Sequence, residues 1–179
     1  MTVHPYPRLA RLALETHLSG AEADDSLMAE VADDKDLWGD RRGCFVSIKT
    51  KYGELRGCIG TIDPVRENLG REIMANAVSA GTRDPRFHPM SRPELAGVTF
   101  SVDVLSPPEP VHSLDDLDPS VYGVIVEKGG RRGLLLPDLE GVDTVIQQVS
   151  IAARKAGLND LDGVSLKRFT VTRYPENRS

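Results

Sequence analysis

The sequence predicts an α+β fold in which duplicated hairpin–helix–strand units form one curved, barrel-like antiparallel sheet with helices outside. The order hairpin, helix, strand occurs twice, over approximately residues 43–105 and 121–174. The two hairpins also end alike, with Arg56-Gly57 in the first and Arg132-Gly133 in the second, which indicates an internal duplication. Six strands in an open sheet would leave two exposed edges, and curling the sheet toward a barrel would remove them.

The N-terminal region is predicted to be helical. Apolar residues recur on one face over residues 7–18, where Pro7 suits a first helical turn and Gly20 suits the end. The acidic stretch that follows, residues 21–36, is predicted to hold a short helix over residues 26–31.

The first repeat begins with a predicted hairpin of residues 44–50 and 55–61, which alternate apolar and polar side chains around a turn at Tyr52-Gly53. Asp63-Pro64 is predicted to cap a helix that runs to about Ala80. A strand over residues 98–105 then completes the repeat.

The second repeat follows a connection rich in proline and aspartate at residues 106–119, the best internal boundary in the chain. A hairpin of residues 121–127 and 132–136 is predicted around Gly129-Gly130. A helix over roughly residues 143–156 and a strand over residues 167–174 come next. The whole chain, residues 1–179, is expected to form a single domain, with two intimate lobes as the alternative.

Composition narrows the class of function. The 179 residues are 40% hydrophobic, which is enough for a core, and the net charge of -5 without a basic run argues against nucleic-acid binding. Apolar runs are too short to span a membrane, and no signal peptide is recognised, so a cytoplasmic location is expected. Two cysteines do not make a disulfide framework.

The first hairpin carries the candidate site. A two-residue turn would place Ser47 opposite Cys58 and Lys49 opposite Arg56, all on the face turned away from the core, with Cys44 on the core face. Two opposed cations cost up to about 1 kcal/mol unless an anion lies between them. The pair therefore indicates a bound carboxylate or phosphate, with Glu54 in the place of that anion or a solvated strand face as the alternatives.

The stretch Leu55-Arg56-Gly57-Cys58-Ile59-Gly60 sets a thiol beside a cation and between glycines. Gly57 and Gly60 lack side chains, so another group can approach the backbone there. Arg56 alone would favour the thiolate of Cys58 enough for partial ionisation only if the site is sheltered from water. The alternative is a small residue packed between glycines, which Leu134 at the matching place of the second repeat favours.

Neither a catalytic base nor a metal site is evident. The four histidines lack metal-like spacing, and no metal or cofactor is predicted. His88 lies in a proline-punctuated loop, residues 83–89, and is the best-placed histidine to reach across a cleft. Arg86 in the same loop is a further candidate for ligand binding, although these residues also suit a purely structural loop.

Several motifs in one order along nearly the whole chain resemble the AMMECR family. They are Gly43-Cys44-Phe45-Val46, Leu55-Arg56-Gly57-Cys58-Ile59-Gly60, Asp84-Pro85-Arg86-Phe87, Val104-Leu105-Ser106-Pro107, Gly133-Leu134-Leu135-Leu136-Pro137 and Lys155-Ala156-Gly157-Leu158. The resemblance implies an α+β fold with a duplicated unit and a groove near the second of these motifs. It also implies a Memo-like protein and a radical-SAM protein as partners, since prokaryotic members are encoded beside them. His88 departs from the pattern, because the family commonly has proline there.

Three roles are compared on these grounds. The favoured one is a binding or accessory module that holds a small anionic ligand, or a Memo-like or radical-SAM partner, in a groove at Arg56 and Cys58. The second is a thiol-dependent enzyme in which Cys58 attacks a small acidic substrate, Arg56 orients its carboxylate or phosphate, and Ser47 assists. A purely structural role of the glycine-rich motif is the third.

Overall fold

The computed structural model describes residues 3–31 and 35–176. It divides into two compact units, of which the second holds Leu105–Val171 and the first holds the described residues before and after that span. Common ancestry of the two units stays a prediction.

The first unit contains four helices and four strands within its described residues. They are α1 (Pro5–Leu18), α2 (Asp25–Val31), α3 (Lys35–Gly39), β1 (Cys44–Thr50), β2 (Leu55–Thr61), α4 (Leu69–Thr82), β3 (Val98–Leu105) and the strand β8 (Val171–Pro175). A 3₁₀ helix, Arg92–Gly97, precedes β3. The strand order is β2-β1-β3-β8.

The second unit is smaller. It contains β4 (Glu109–Val111), β5 (Gly123–Lys128), β6 (Arg131–Leu135), α5 (Val145–Lys155) and β7 (Ser165–Phe169), with a 3₁₀ turn at Leu114–Asp116. The strand order is β4-β7-β5-β6. In each unit a hairpin therefore pairs with the strand that follows the helix, in the equivalent orders β2-β1-β3 and β6-β5-β7.

The α+β class and the antiparallel pairing of the strands are confirmed. The strands form two four-stranded sheets where one was predicted, because each hairpin pairs with its own returning strand. Each sheet also holds one further short strand. β4 lay inside the predicted connection and was missed, whereas β8 is the second part of the strand predicted over residues 167–174, which Thr170 divides into β7 and β8.

Helix α4 begins later than predicted. Asn68 is its N-cap, with Oδ1 accepting a hydrogen bond from the Arg71 N–H at 2.9 Å, whereas Asp63-Pro64 was expected to start the helix. The buried Glu72 carboxylate accepts the backbone N–H groups of Val65 and Arg66 at 3.0 and 2.7 Å, which holds that segment in a turn.

The core of the first unit lies between its sheet and the helices α1 and α4. Alternate residues of β1, Cys44, Val46 and Ile48, are fully buried against it, as the alternation predicts. A buried ion pair joins Arg11 of α1 to Glu176, with Nε 2.6 Å from Oε1, and the same carboxylate accepts the Phe100 N–H. In the second unit α5 packs on β5 and β6, while Ile146 in its first turn is 55% exposed.

Candidate functional site

The register of the first hairpin matches the prediction around the thiol. Ser47 lies opposite Cys58 and Ile48 opposite Gly57. Ile48 is fully buried, so Ser47 and Cys58 occupy the other face of the sheet.

The register shifts one residue closer to the turn. Lys49 pairs with Leu55, and Arg56 is left as the extra residue of a β-bulge. The prediction that Lys49 and Arg56 lie opposite each other is therefore wrong. The cause is the turn, which is longer than two residues. β1 ends at Thr50, whose carbonyl accepts the Gly53 N–H at 2.9 Å, and Gly53 has a φ of 84°. The bulge absorbs the resulting offset and re-aims the Arg56 side chain.

The thiol of Cys58 is half-buried and contacts a hydroxyl. Ser47 Oγ donates to Cys58 Sγ at 3.2 Å. On the other side of β1, Ser101 of β3 lies opposite Ser47, so three hydroxyl- or thiol-bearing residues form a row across three neighbouring strands. The sequence analysis missed Ser101, although the alternation of β3 sets it on the face opposite Phe100 and Val102.

The second thiol behaves differently. Cys44 is fully buried on the core face, and burial raises its pKa to about 12. Both cysteines are free.

Asp84 connects Cys58 to the loop that follows α4. Its Oδ2 accepts the Cys58 backbone N–H at 3.0 Å, and it is only 4% exposed. Arg86 clamps the same carboxylate, with Nε 3.0 Å from Oδ1 and Nη2 2.8 Å from Oδ2. These hydrogen bonds from Arg86, joined by that from the Cys58 N–H, hold the pKa of Asp84 well below its usual range. Asp84 was not among the predicted site residues, because its contact with Cys58 spans 26 positions and has no local signal in the sequence.

Arg56 reaches the same loop from the other side. Its Nε donates to Glu94 Oε1 at 3.1 Å, and its Nη2 donates to the His88 carbonyl at 2.9 Å. The guanidinium carbons of Arg56 and Arg86 lie 5.9 and 5.5 Å from the centroid of the Phe87 ring. Nη1 of Arg56 is buried and has no hydrogen-bond partner within the described residues.

Packing alone accounts for the two glycines of the motif. A Cβ on Gly57 would lie 2.1 Å from the carbonyl oxygen of Ala80 in α4. A Cβ on Gly60 would lie 2.2 Å from the ring of Phe45, its partner on β1. A helix carbonyl and an aromatic ring thus occupy the space that the sequence analysis reserved for a ligand.

The structure therefore brings together some of the predicted site residues. Ser47, Cys58, Arg56 and Arg86 gather around Asp84 and Phe87. Lys49 is exposed and makes no side-chain hydrogen bond or ion pair with that group among the described residues. His88 contributes its carbonyl, while its exposed imidazole makes no hydrogen bond or ion pair there. Ligand binding by any of them stays a prediction.

The described residues contain neither a metal-ligating cluster nor a helix that could span a membrane. No group of three or more His, Cys, Asp and Glu side chains is arranged to hold a metal ion in residues 3–31 and 35–176. Over the same residues, no helix has the length and apolar character needed to cross a bilayer.

Comparisons with known proteins agree along the whole chain. A Thermotoga maritima protein is 49% identical over 175 residues, covering 96% of this chain and 97% of the relative. A Clostridium acetobutylicum protein is 47% identical over 174 residues, but this chain, 97% of which is matched, spans only 36% of its length. The crystal structure of an uncharacterized protein from Pyrococcus horikoshii superposes with a TM-score of 0.79 at 29% identity, covering 95% of this chain and 89% of that one.

The family model of AMMECR1 matches residues 7–178, which include both units and the hairpin that carries Cys58. The chain belongs to the AMMECR1 family.

Proposed function

We propose that this chain is a binding or accessory module that receives an acidic group at the surface formed by Ser47, Cys58, Arg86 and Phe87. The acidic group is a carboxylate or phosphate, carried by a small ligand or by a partner protein. The Memo-like and radical-SAM proteins that the family resemblance implies are the partners we expect.

The observation that carries the proposal is the fixed yet open guanidinium of Arg86. Its side chain is 57% exposed, while Asp84 holds Nε and Nη2. Nη1 makes no hydrogen bond within the described residues. It can therefore donate to an oxygen of the ligand from a guanidinium that is already oriented. A donor fixed in advance loses little conformational entropy on binding.

The loop around Arg86 is held as firmly as the arginine. Phe87 N–H donates to the Asp84 carbonyl at 3.1 Å, and Met90 N–H donates to the Gly81 carbonyl at 2.8 Å. The Arg56 contact to the His88 carbonyl closes the loop from the sheet. Arginine and aromatic side chains on a rigid support are typical of the residues that dominate binding energy at protein surfaces.

The charges around the loop indicate what is bound. Arg56 is neutralised by Glu94, and Arg86 by Asp84, so no strong field attracts free ions. Recognition then depends on directed hydrogen bonds and on contact with the Phe87 ring. This arrangement favours a shaped ligand or a protein side chain over a simple salt ion.

A thiol-dependent enzyme is the second candidate, supported by the 3.2 Å contact between Ser47 Oγ and Cys58 Sγ. Its weakness is the lack of a base. Among the described residues, neither a histidine nor a carboxylate is hydrogen-bonded to the sulfur of Cys58. Asp84 holds the backbone N–H of Cys58 and is occupied by Arg86.

Alkylation of Cys58 tests the binding proposal directly. Iodoacetate and iodoacetamide form the same S–C bond and release iodide, but only iodoacetate carries a carboxylate. We expect the ratio of their rates at Cys58 to be about three- to tenfold higher in the folded protein than in the unfolded chain. Arg86→Gln should lower the ratio to the unfolded value, since it removes the oriented donor.

Arg83→Gln is the matched control, because Arg83 is an exposed arginine three positions before Arg86. It should leave the ratio unchanged. Arg86→Lys keeps the charge without the two-pronged contact and should give an intermediate ratio, which separates orientation from charge. Equal ratios in folded and unfolded protein would remove the proposal. A rate that follows an ionisation near neutral pH for both reagents would favour the enzyme.

A further inference from the structure

The hairpin of the second unit places two cations directly opposite each other. Its turn is Gly129-Gly130, with φ of 55° and 79°, the geometry of a two-residue turn. The register then pairs Lys128 with Arg131 and Glu127 with Arg132. Like charges opposed on neighbouring strands are destabilising unless an anion lies between them. The arrangement that the bulge removes from the first hairpin is thus present in the second.

Neither of these cations forms an ion pair within the described residues. Lys128 Nζ donates to the backbone carbonyl of Asp162 at 2.5 Å, and Arg131 Nη1 donates to the Gly157 carbonyl at 3.0 Å. Carbonyl oxygens orient both head groups but carry no net charge, so both positive charges remain uncompensated by these contacts.

The carboxylate nearest to the pair in the strand register is already shared. Glu127 lies 3.1 Å from Arg132 and 3.5 Å from Lys167. Glu127 therefore compensates the charges of Arg132 and Lys167 rather than those of Lys128 and Arg131. This local excess stands out in a chain whose net charge is -5.

A cavity of about 410 Å³ lies at these residues. The charged side chains of its lining are Lys128, Arg131 and the paired Glu127 and Arg132, and Ser165 and three glycines complete it. No atom lies within 4 Å of the place where a Cβ would stand on Gly129 or Gly130, so the turn leaves open space. The volume is sufficient for a phosphate group and a small substituent.

We propose that this cavity binds a phosphate group. A phosphate dianion matches two uncompensated cations in charge. Its oxygens can accept from the ammonium of Lys128 as a point charge and from the planar guanidinium of Arg131. Binding would also relieve the repulsion between the opposed strands. This site lies in the other unit from Cys58 and does not depend on the function proposed above.

Titration with inorganic phosphate tests the inference. Amide chemical shifts of the full chain are followed at constant ionic strength, with chloride as the balancing ion. We expect saturable shifts centred on residues 127–132 and 163–165. The double variant Lys128→Gln/Arg131→Gln should weaken the apparent affinity at least about tenfold.

The control variant is Arg154→Gln/Lys155→Gln, which removes the same charge from two exposed cations at the end of α5. It should change the affinity less than about twofold. If the double variant does not fold, Lys128→Gln and Arg131→Gln singly should each weaken binding about three- to tenfold. Shifts that chloride reproduces, or an equal loss in the control, would overturn the proposal. Tighter saturation by glycerol phosphate than by inorganic phosphate would identify an ester as the ligand.

Discussion

The hairpin of each unit presses a glycine against the helix that follows it. A Cβ on Gly57 would lie 2.1 Å from the Ala80 carbonyl oxygen, and a Cβ on Gly133 would lie 2.0 Å from that of Ala152. Each helix also carries a buried side-chain amide that donates to a backbone carbonyl of its unit. Asn76 Nδ2 donates to the carbonyl of Cys44 at 3.1 Å, as Gln148 Nε2 does to that of Tyr122 at 2.8 Å. The supporting contacts are therefore common to both units.

The two hairpins differ on the faces turned away from α4 and α5. The first has Ser47 opposite Cys58, both half-buried, and the second has the fully buried Ile125 opposite Leu134 at the equivalent places. A polar row thus occurs only on the first of these two hairpins. Since the glycines and the amides recur without that row, they belong to the scaffold. The thiol and the hydroxyl are left as the residues that folding alone does not explain.

The largest effect should come from filling the space beside the two glycines. Gly57→Ala and Gly133→Ala each force a methyl group into a backbone carbonyl, and neither a strand nor a packed helix can move freely. We expect each variant to lose about 3 kcal/mol or more of unfolding free energy, measured by urea denaturation.

Gly97→Ala is the control for that prediction, because nothing lies within 4 Å of its Cβ position and its φ is not positive. It should stay within about 0.5 kcal/mol of the parent. A mild effect of Gly57→Ala beside a large one of Gly133→Ala would break the comparison, since it would mean that the first hairpin is free to move.

The next largest effect concerns Asp84. Its folded-state pKa lies below its ordinary value of 3.8, so the unfolded state binds more protons as the pH falls. The stability that the carboxylate adds is complete above about pH 5 and is lost as the pH drops below about 4 toward the lower folded pKa. Asp84→Asn should cost about 1–3 kcal/mol at pH 7, because charge-assisted bonds to Arg86 and Cys58 are weakened.

The pH course separates this role from a general loss of packing. The difference between parent and Asp84→Asn should shrink between about pH 4 and pH 2 in denaturation curves. Asp118→Asn, in the second unit, is the control, since Asp118 is exposed and bonded to Ser120. It should give a smaller difference. A cost of Asp84→Asn that is constant with pH would show that the carboxylate charge is not what stabilises the site.

These contacts show which parts of the molecule its sequence could predict. The bounds of β1, β2 and β3 match the structure, because short runs with an alternating pattern end at clear turn or loop residues. The alternation of buried and less buried residues is most regular in β1. β4 has only three residues and includes Pro110, so it offers no such pattern. The start of α4 was placed too early, since Asp63-Pro64 has the local signal of a cap while Glu72 holds the following backbone out of the helix.

The candidate site was predictable only as far as local register reaches. The pairing of Ser47 with Cys58 was predicted from alternation and a two-residue turn. The turn is longer, and the pairing holds because the bulge at Arg56 offsets the extra length. The bulge itself was not predictable, because it depends on how the longer turn is accommodated across the pair. Asp84 was missed for a further reason: its partners Cys58 and Arg86 meet only once α4 has returned the chain to the sheet.

The smallest effect on stability should come from giving the first hairpin the side chains of the second. Ser47→Ile/Cys58→Leu replaces the polar row with the aliphatic pair found at Ile125 and Leu134, and both residues suit a strand. We expect the unfolding free energy to change by about 1 kcal/mol or less. With a disulfide reagent, the native parent should react at one thiol and the variant at none, because Cys44 is fully buried and burial raises its pKa to about 12. Two results would show that Ser47 and Cys58 have a structural role. One is unfolding of the variant, and the other is a parent protein in which Cys58 reacts only after denaturation.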